Sequence, residues 1–343
     1  VRQTLPILVL LMIHATALRA QRATDTQPRS ATEALCAQAT SGTVQPPAIR
    51  GPLTAAQLPS CNEQALYYGF IGTPKFPAAL QCGWYQYAHP QTSVGNMFYG
   101  PGVLSMLYAN GEGVPRNYDL ATRFVCENPW AAPAELEGRV THIKKLRDAN
   151  TPGHFDLCDD ATSGLSEGAC EAISAGKHDS EREQKLSAIE EHLPAAALAQ
   201  FAKLRTAENA FEDARSRNEV DLGGTGRAAF EIAEQQKLSD QFLINLQRFS
   251  RKDIPLASTK DLAVLDEQLN AVYQQLLHAP ASDWQYSTIN PDGIRTTQRA
   301  WLKLADAWIA FARTAYPDMS SESVRAQLIR LRLHQLRSLQ PRH

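Results

Sequence analysis

No apolar run in this chain approaches the roughly 20 residues that a membrane-spanning helix needs. The run nearest the start is the nine-residue stretch from Leu5 to Ile13, and no later window comes near the spanning length. An excess of one charge sign is also missing. With 34 Lys+Arg against 36 Asp+Glu and a formal charge of -2, nothing electrostatic calls for a nucleic-acid partner. No C-x-x-C occurs, which argues against zinc and thioredoxin-like chemistry. The nine His show no H-E-x-x-H spacing, and no G-x-S-x-G elbow presents a nucleophilic Ser. The glycine-rich stretch NEVDLGGTGRAAF, 218 to 230, lacks the G-K-[ST] of a phosphate loop and reads as a flexible link between helices. These absences leave no cofactor, no metal and no recognisable catalytic constellation, so the expectation is a protein that is not an enzyme.

What is present begins with VRQTLPILVLLMIHATALRAQ, in which Arg2 precedes the apolar run and small residues follow, ending in Ala15-Thr16-Ala17 or Leu18-Arg19-Ala20. This pattern predicts a cleaved secretory signal over residues 1–20. The first Cys, Cys36, follows Glu33-Ala34-Leu35 rather than the apolar run, which argues against a lipid anchor. Residues 21–55 are rich in Thr, Ala, Gln, Pro and Ser and predict a mostly extended leader. The six cysteines, Cys36, Cys61, Cys82, Cys126, Cys158 and Cys170, all lie in the first half. An even number behind a secretory signal implies an oxidising compartment and up to three disulfides, with about fifteen connectivities open. Cys158 and Cys170, twelve apart, are close enough in sequence to bridge locally.

From Cys61 to Arg147 short helical segments alternate with Gly and Pro. IGTPKFPAALQC at 71–82 aligns with GVPRNYDLATRF at 113–124 at an offset of 42, placing Phe76 on Tyr118 and Ala79 on Ala121. Periods of this size mean stacked helical hairpins. Gly111 and Gly113 suit a tight turn and Pro115 halts the chain before the next helix. The stronger copy, LSMLYANGEGVPRNYDLATRF, resembles the Sel-like repeats, relatives of the tetratricopeptide repeats, through Leu107, Tyr108, Gly111, Gly113, Val114, Pro115, Tyr118 and Ala121. The resemblance implies an interaction scaffold over residues 56–150.

Beyond Asp179 the pattern is helical throughout, with helices expected at about 179–192, 195–217, 225–250, 259–278, 294–315 and 320–339. Ser258 is a natural N-cap for the Leu262, Leu265, Leu269, Val272, Leu276 stripe; Asp292 and Ser320 or Ser321 are expected to cap the last two helices. QFAKLRTAENAF at 200–211 aligns with RAWLKLADAWIAF at 299–311 at an offset of one hundred, setting Phe201 on Trp301 and Phe211 on Phe311. The steps of three and four through Trp301, Leu304, Trp308, Phe311 and Ala315 place these residues on one face, as a core seam requires. LDEQLNAVYQQLL at 265–277 followed by QRAWLKLADA at 298–307 resembles the LprI-type lysozyme inhibitors, secreted or periplasmic all-helical proteins of bacteria. Asp266, Leu269, Asn270, Tyr273, Gln298, Trp301, Leu302 and Asp306 match the family pattern, whereas the Arg expected before Asp306 is Ala305. The family's spaced Cys pair resembles DLCDDATSGLSEGAC at 156–170.

The expected architecture is all-α: a helical-hairpin repeat module, then an antiparallel helical bundle at 151–343 made of two partial copies at about 155–250 and 258–339. The resemblance implies a protein partner, a lysozyme whose cleft is occluded, and a periplasmic or secreted location in a bacterium. The alternative is an envelope scaffold that uses its repeat surface and inhibits nothing. Asn270 and Tyr273 are candidate buried anchors between helices. Glu219, Asp221 and Arg227 are candidates for a partner-facing loop. Arg325, Arg330, Arg332 and Arg337 form the basic polar face of the last helix, read as solvated.

Overall fold

The computed structural model describes residues 30–47, 52–70, 72–90, 96–149 and 153–340. The expectation of a signal over residues 1–20 lies outside the described residues. Twelve α-helices and two short 3-10 turns, with no strand, make up the regular structure among the described residues. The helices are α1 (Ala31–Ala39), α2 (Glu63–Tyr68), α3 (Phe76–Ala88), α4 (Pro101–Asn110), α5 (Tyr118–Cys126), α6 (Pro133–Asp148), α7 (Gly164–Glu191), α8 (Ala195–Asn218), α9 (Arg227–Ser250), α10 (Thr259–Leu277), α11 (Pro291–Ala315) and α12 (Ser321–Arg337). The chain is therefore all-α.

The first surprise falls in the leader, where composition predicts extended chain but α1 forms. Ser30 and Glu33 complete a capping box, Ser30 N–H donating to the Glu33 carboxylate at 2.9 Å and Glu33 N–H to the Ser30 hydroxyl at 3.1 Å. A disulfide from Cys36 to Cys126 then ties α1 to the end of α5. Cys61–Cys82 and Cys158–Cys170 are also bridged, so all six cysteines are paired, as suits an oxidising compartment.

Successive helices α2 to α6 pack as hairpins, and their ends keep the 42-residue offset of the sequence: α2 ends at Tyr68 and α4 at Asn110, while α3 starts at Phe76 and α5 at Tyr118. Each first helix stops on a left-handed glycine, Gly69 at φ 71° and Gly111 at φ 72°, a conformation that a Cβ would strain. The core they enclose is aromatic: Trp84 meets Phe124 edge to face at 5.4 Å, and Phe98, Met106 and Leu107 are fully buried beside it.

This core runs past residue 150. Phe155 and Leu157 are buried in it, and so is Ile173 on α7. The helix expected from 179 begins instead at Gly164, because Ser163 caps it by accepting from the Ser166 N–H. Its 28 residues, about 40 Å of helix, carry Ile173 into the first core and Leu186 into the second.

Glu135 of α6 fastens the start of α7. Its carboxylate is fully buried and accepts from Thr162 N–H at 3.1 Å, Ser163 N–H at 2.8 Å, Ala132 N–H at 3.0 Å and the Ser166 hydroxyl at 3.0 Å. Burial alone would push this carboxyl up, but the hydrogen bonds outweigh it and hold the pKa at about 2 rather than 4.5. A carboxyl depressed on folding adds stability above its ordinary pKa and loses it as pH falls through that value. Stability worth about 3 kcal/mol is therefore expected to drain away between pH 5 and pH 2. Urea unfolding across that range measures it; Glu135→Gln should be less stable at neutral pH and flatten part of the acid slope.

The second core draws on α7 to α9 and on α10 to α12. Leu186, Phe201, Phe211, Phe242 and Phe249 from the former pack with Trp301, Trp308, Phe311, Ile329 and Leu336 from the latter in one cluster. α8 and α11, the helices aligned at an offset of one hundred, lie antiparallel against each other. Phe201 meets Phe311 at 5.6 Å, the Thr297 hydroxyl donates to the Ala214 carbonyl at 3.1 Å, and the Gly293 backbone passes close to Asn218. α9 packs on α7 and α8 as α12 packs on α10 and α11. Ser258 caps α10 in a capping box with Asp261, and Ser320 caps α12. Asn290 rather than Asp292 caps α11, since Pro291 at the first helical position moves the start back by two residues and leaves Asp292 in the first turn.

Candidate functional site

The end of the bundle where α8 stops and α11 starts gathers several of the residues singled out in the sequence. Glu219, the C-cap of α8, was expected to face a partner; the structure buries it at 3 % exposure. Arg332 of α12, expected on a solvated face, is fully buried and grips the Glu219 carboxylate with two bonds, Nη2 to Oε1 at 2.5 Å and Nη1 to Oε2 at 2.7 Å. Arg215 adds a third at 2.6 Å and reaches Glu234 of α9 at 2.7 Å with its Nε. Gln298 of α11 accepts from Arg332 Nε at 2.9 Å, and the guanidinium lies over the Phe211 ring at 5.7 Å. Four helices are thus pinned by one buried network of two cations and two carboxylates.

Because Glu219 is held inside, the loop after it leaves the bundle at a fixed point. Asp221 is exposed, and its Oδ1 accepts from Thr288 N–H at 3.2 Å and Gly223 N–H at 3.1 Å. Those two backbone donors, Thr288 first, hold its carboxyl below the usual Asp range. Leu222 N–H returns a bond to the Thr288 hydroxyl at 2.7 Å. Thr225 presses against α7 so closely that a Cβ on Gly164 would sit 2.1 Å from its carbonyl oxygen. The loop expected to be flexible is latched at both ends, and Arg227 opens α9 exposed to solvent.

The partner of this latch is the 278–290 connection between α10 and α11, which carries a residue the sequence reading passed over. Tyr286, two positions from Thr288, is 90 % exposed. An aromatic side chain standing in solvent, two residues from the Asp221–Thr288 latch, is open to contact by a partner. Its signal in the sequence was a lone Tyr in the polar stretch ASDWQYSTINPDG.

The motif residues divide by burial. Leu269 and Trp301 are core, and Gln298 serves the ionic network. Tyr273 packs half-buried against the core, but Asn270 is exposed and is no buried anchor, because α10 turns only its Leu269 and Leu276 face fully inward. Asp266 is half-buried, while Leu302 and Asp306 face solvent. Ala305 is 3 % exposed, so the position that holds Arg in the motif here holds a methyl group inside the core.

The motif helices α10 and α11 both pack against α12. Residues 254–336 match the family model described as Lysozyme inhibitor LprI. The matched segment takes in α10, α11 and nearly all of α12, and with them Tyr286, Thr288, Gln298 and Arg332. No curated protein and no solved structure matches the chain. Among the described residues no group of His, Cys, Asp and Glu is placed to hold a metal, and no helix is long and apolar enough to cross a membrane.

Proposed function

We propose that this chain is a protein-binding protein of the bacterial periplasm or exterior that inhibits a lysozyme by occluding its carboxylate-bearing cleft. The observation that carries the reading is the Lysozyme inhibitor LprI match over 254–336. Three disulfides favour a location outside the cytoplasm. The occluding edge is the latched pair of loops: Tyr286 is the anchor, with Asp221 on the neighbouring loop and Arg227 at the start of the helix that follows it. Glu219 has no part in contact and acts by holding that edge in place.

Aromatic anchors of this kind carry about 2 kcal/mol or more of a protein interface. Tyr286→Ala is therefore expected to weaken lysozyme inhibition by roughly 30-fold with no change in melting temperature. A dose–response curve against a sensitive lysozyme measures the first and thermal denaturation the second. Unaltered inhibition would remove Tyr286 from the edge.

A second reading is supported by the hairpin stack of α2 to α6 and its 42-residue spacing, which resembles Sel-like repeats over residues 56–150. In that reading the stack holds another envelope protein and the bundle is a platform. Recovery of an endogenous partner from envelope extract, by a chain that inhibits no lysozyme, would favour it.

A further inference from the structure

A second feature lies on the half of the bundle outside the matched segment. An open cleft of about 840 Å³ runs between α7, α8 and α9, with Phe70 across one end and Leu186 and Phe242 in its floor. Glu208 and Glu212, one turn apart on α8, both line it. Glu208 is only 7 % exposed and makes no hydrogen bond to any described residue. Its neighbour Glu212 accepts from the Ser239 hydroxyl at 2.8 Å. The two cations of the cleft are already taken. Arg205 is bound to Glu183 by two bonds of 2.9 Å, and Arg182 is shared among Asp179, Asp240 and Gln236. Behind Glu208, Arg332 lines a small void but is committed to Glu219. A buried carboxyl without a donor, beside a second carboxylate and with every nearby cation neutralised, lacks a positive hydrogen-bonding group.

We infer that this cleft is a binding site for a guanidinium cation, whose planar set of N–H donors spans Glu208 and Glu212. The source is either an arginine side chain of a partner protein or a small free guanidinium compound. A guanidinium suits two carboxylates on one helix face better than an ammonium, because its fork reaches both while its flat faces lie against apolar walls such as Phe242. The inference does not depend on lysozyme inhibition.

Burial first, and Glu212 second, push the Glu208 carboxyl up to about 8, so without a cation beside it most of this carboxyl is unionised at pH 7. A bound cation favours the ionised form. Binding at pH 7 therefore releases a proton, and affinity rises with pH from 6 to 8 and levels off above.

Calorimetric titration of the full chain at pH 7 tests this, using methylguanidinium and, separately, acetyl-Gly-Arg-Gly-amide, each in two buffers of different ionisation heat. The ligands cannot lose a proton at this pH, so buffer-dependent heat reports the protein alone. The expected result is binding with release of up to one proton, weakened at least tenfold and without proton release in Glu208→Gln. Binding of the peptide alone assigns the site to a protein's arginine; binding of both assigns it to the guanidinium group itself. Glu212→Gln removes the like charge and should reduce proton release at pH 7, which provides an independent check should Glu208→Gln fail to fold. Binding of neither ligand, or proton release unchanged in these variants, would overturn the inference.

Discussion

Replacing Glu219 by alanine is expected to destabilise the bundle by about 3–5 kcal/mol, the range for removing one partner of a buried ion pair. The reason lies in what remains. Arg332 is fully buried, and without the carboxylate it keeps the Gln298 oxygen but has no counter-charge inside the cluster. Arg215 retains Glu234 and suffers less. For a bundle of this size the melting temperature should fall by roughly 6–20 °C. The double variant Glu219→Ala with Arg332→Met should recover much of the loss, because an apolar replacement of both charges avoids the desolvation that neither can bear alone. Thermal and urea unfolding of the three proteins measure this. A loss below about 0.5 kcal/mol in Glu219→Ala, as for a surface residue, would show that the network is not formed. Asp221→Ala is the internal comparison: it frees only an exposed latch, so it should leave global stability nearly unchanged.

The second large effect belongs to the disulfides, and it is graded by the length of chain each one closes. Cys36 and Cys126 are separated by 90 residues, Cys158 and Cys170 by 12. In the chain-entropy account these correspond to about 4–5 and about 3 kcal/mol. Little else holds α1 once the longer bridge is cut: it has no fully buried residue, and only Leu35 and Cys36 of it rest on the first core. Replacing Cys36 and Cys126 by Ser should lower stability by about 4–5 kcal/mol and expose residues 30–47 to limited proteolysis, while the bundle at the other end keeps its own core. Equal losses for the two bridges, or continued protection of α1, would contradict this ordering.

Much of the fold was legible in the sequence where a pattern is local. Ser258 and Ser320 cap helices because a hydroxyl beside free N–H groups needs no tertiary help. The stripe from Trp301 to Phe311 lies in the core because its spacing puts those side chains on one face. The 42-residue spacing survives in the helix ends because glycines at matched positions force matched stops.

What stayed hidden depends on distant neighbours. Glu219 and Arg332 are 113 residues apart, and each, taken on its own helix, looks like an ordinary surface charge. The Arg215 to Glu219 spacing of four was a local hint, but only the arrival of α12 buries the pair. Helix α7 begins fifteen residues before its expected start, and the packing of α9 against Gly168 and of Phe70 against Gly176 cannot be read from composition. The extended reading of the leader failed at α1, where a capping box outweighed a polar, proline-flanked composition. Tyr286 went unread because prominence is a property of a loop's position, and that position is set by the latch between Asp221 and Thr288.

The bundle end carrying Tyr286 is proposed to block a lysozyme. Cell-wall turnover by several lysozymes, measured with increasing amounts of the folded, disulfide-intact chain, tests it most directly. Saturable inhibition of at least one enzyme is expected at micromolar protein or below, approaching one chain per enzyme and weakened roughly 30-fold by Tyr286→Ala. Full turnover by every lysozyme at that concentration, with helicity confirmed by circular dichroism, would contradict it.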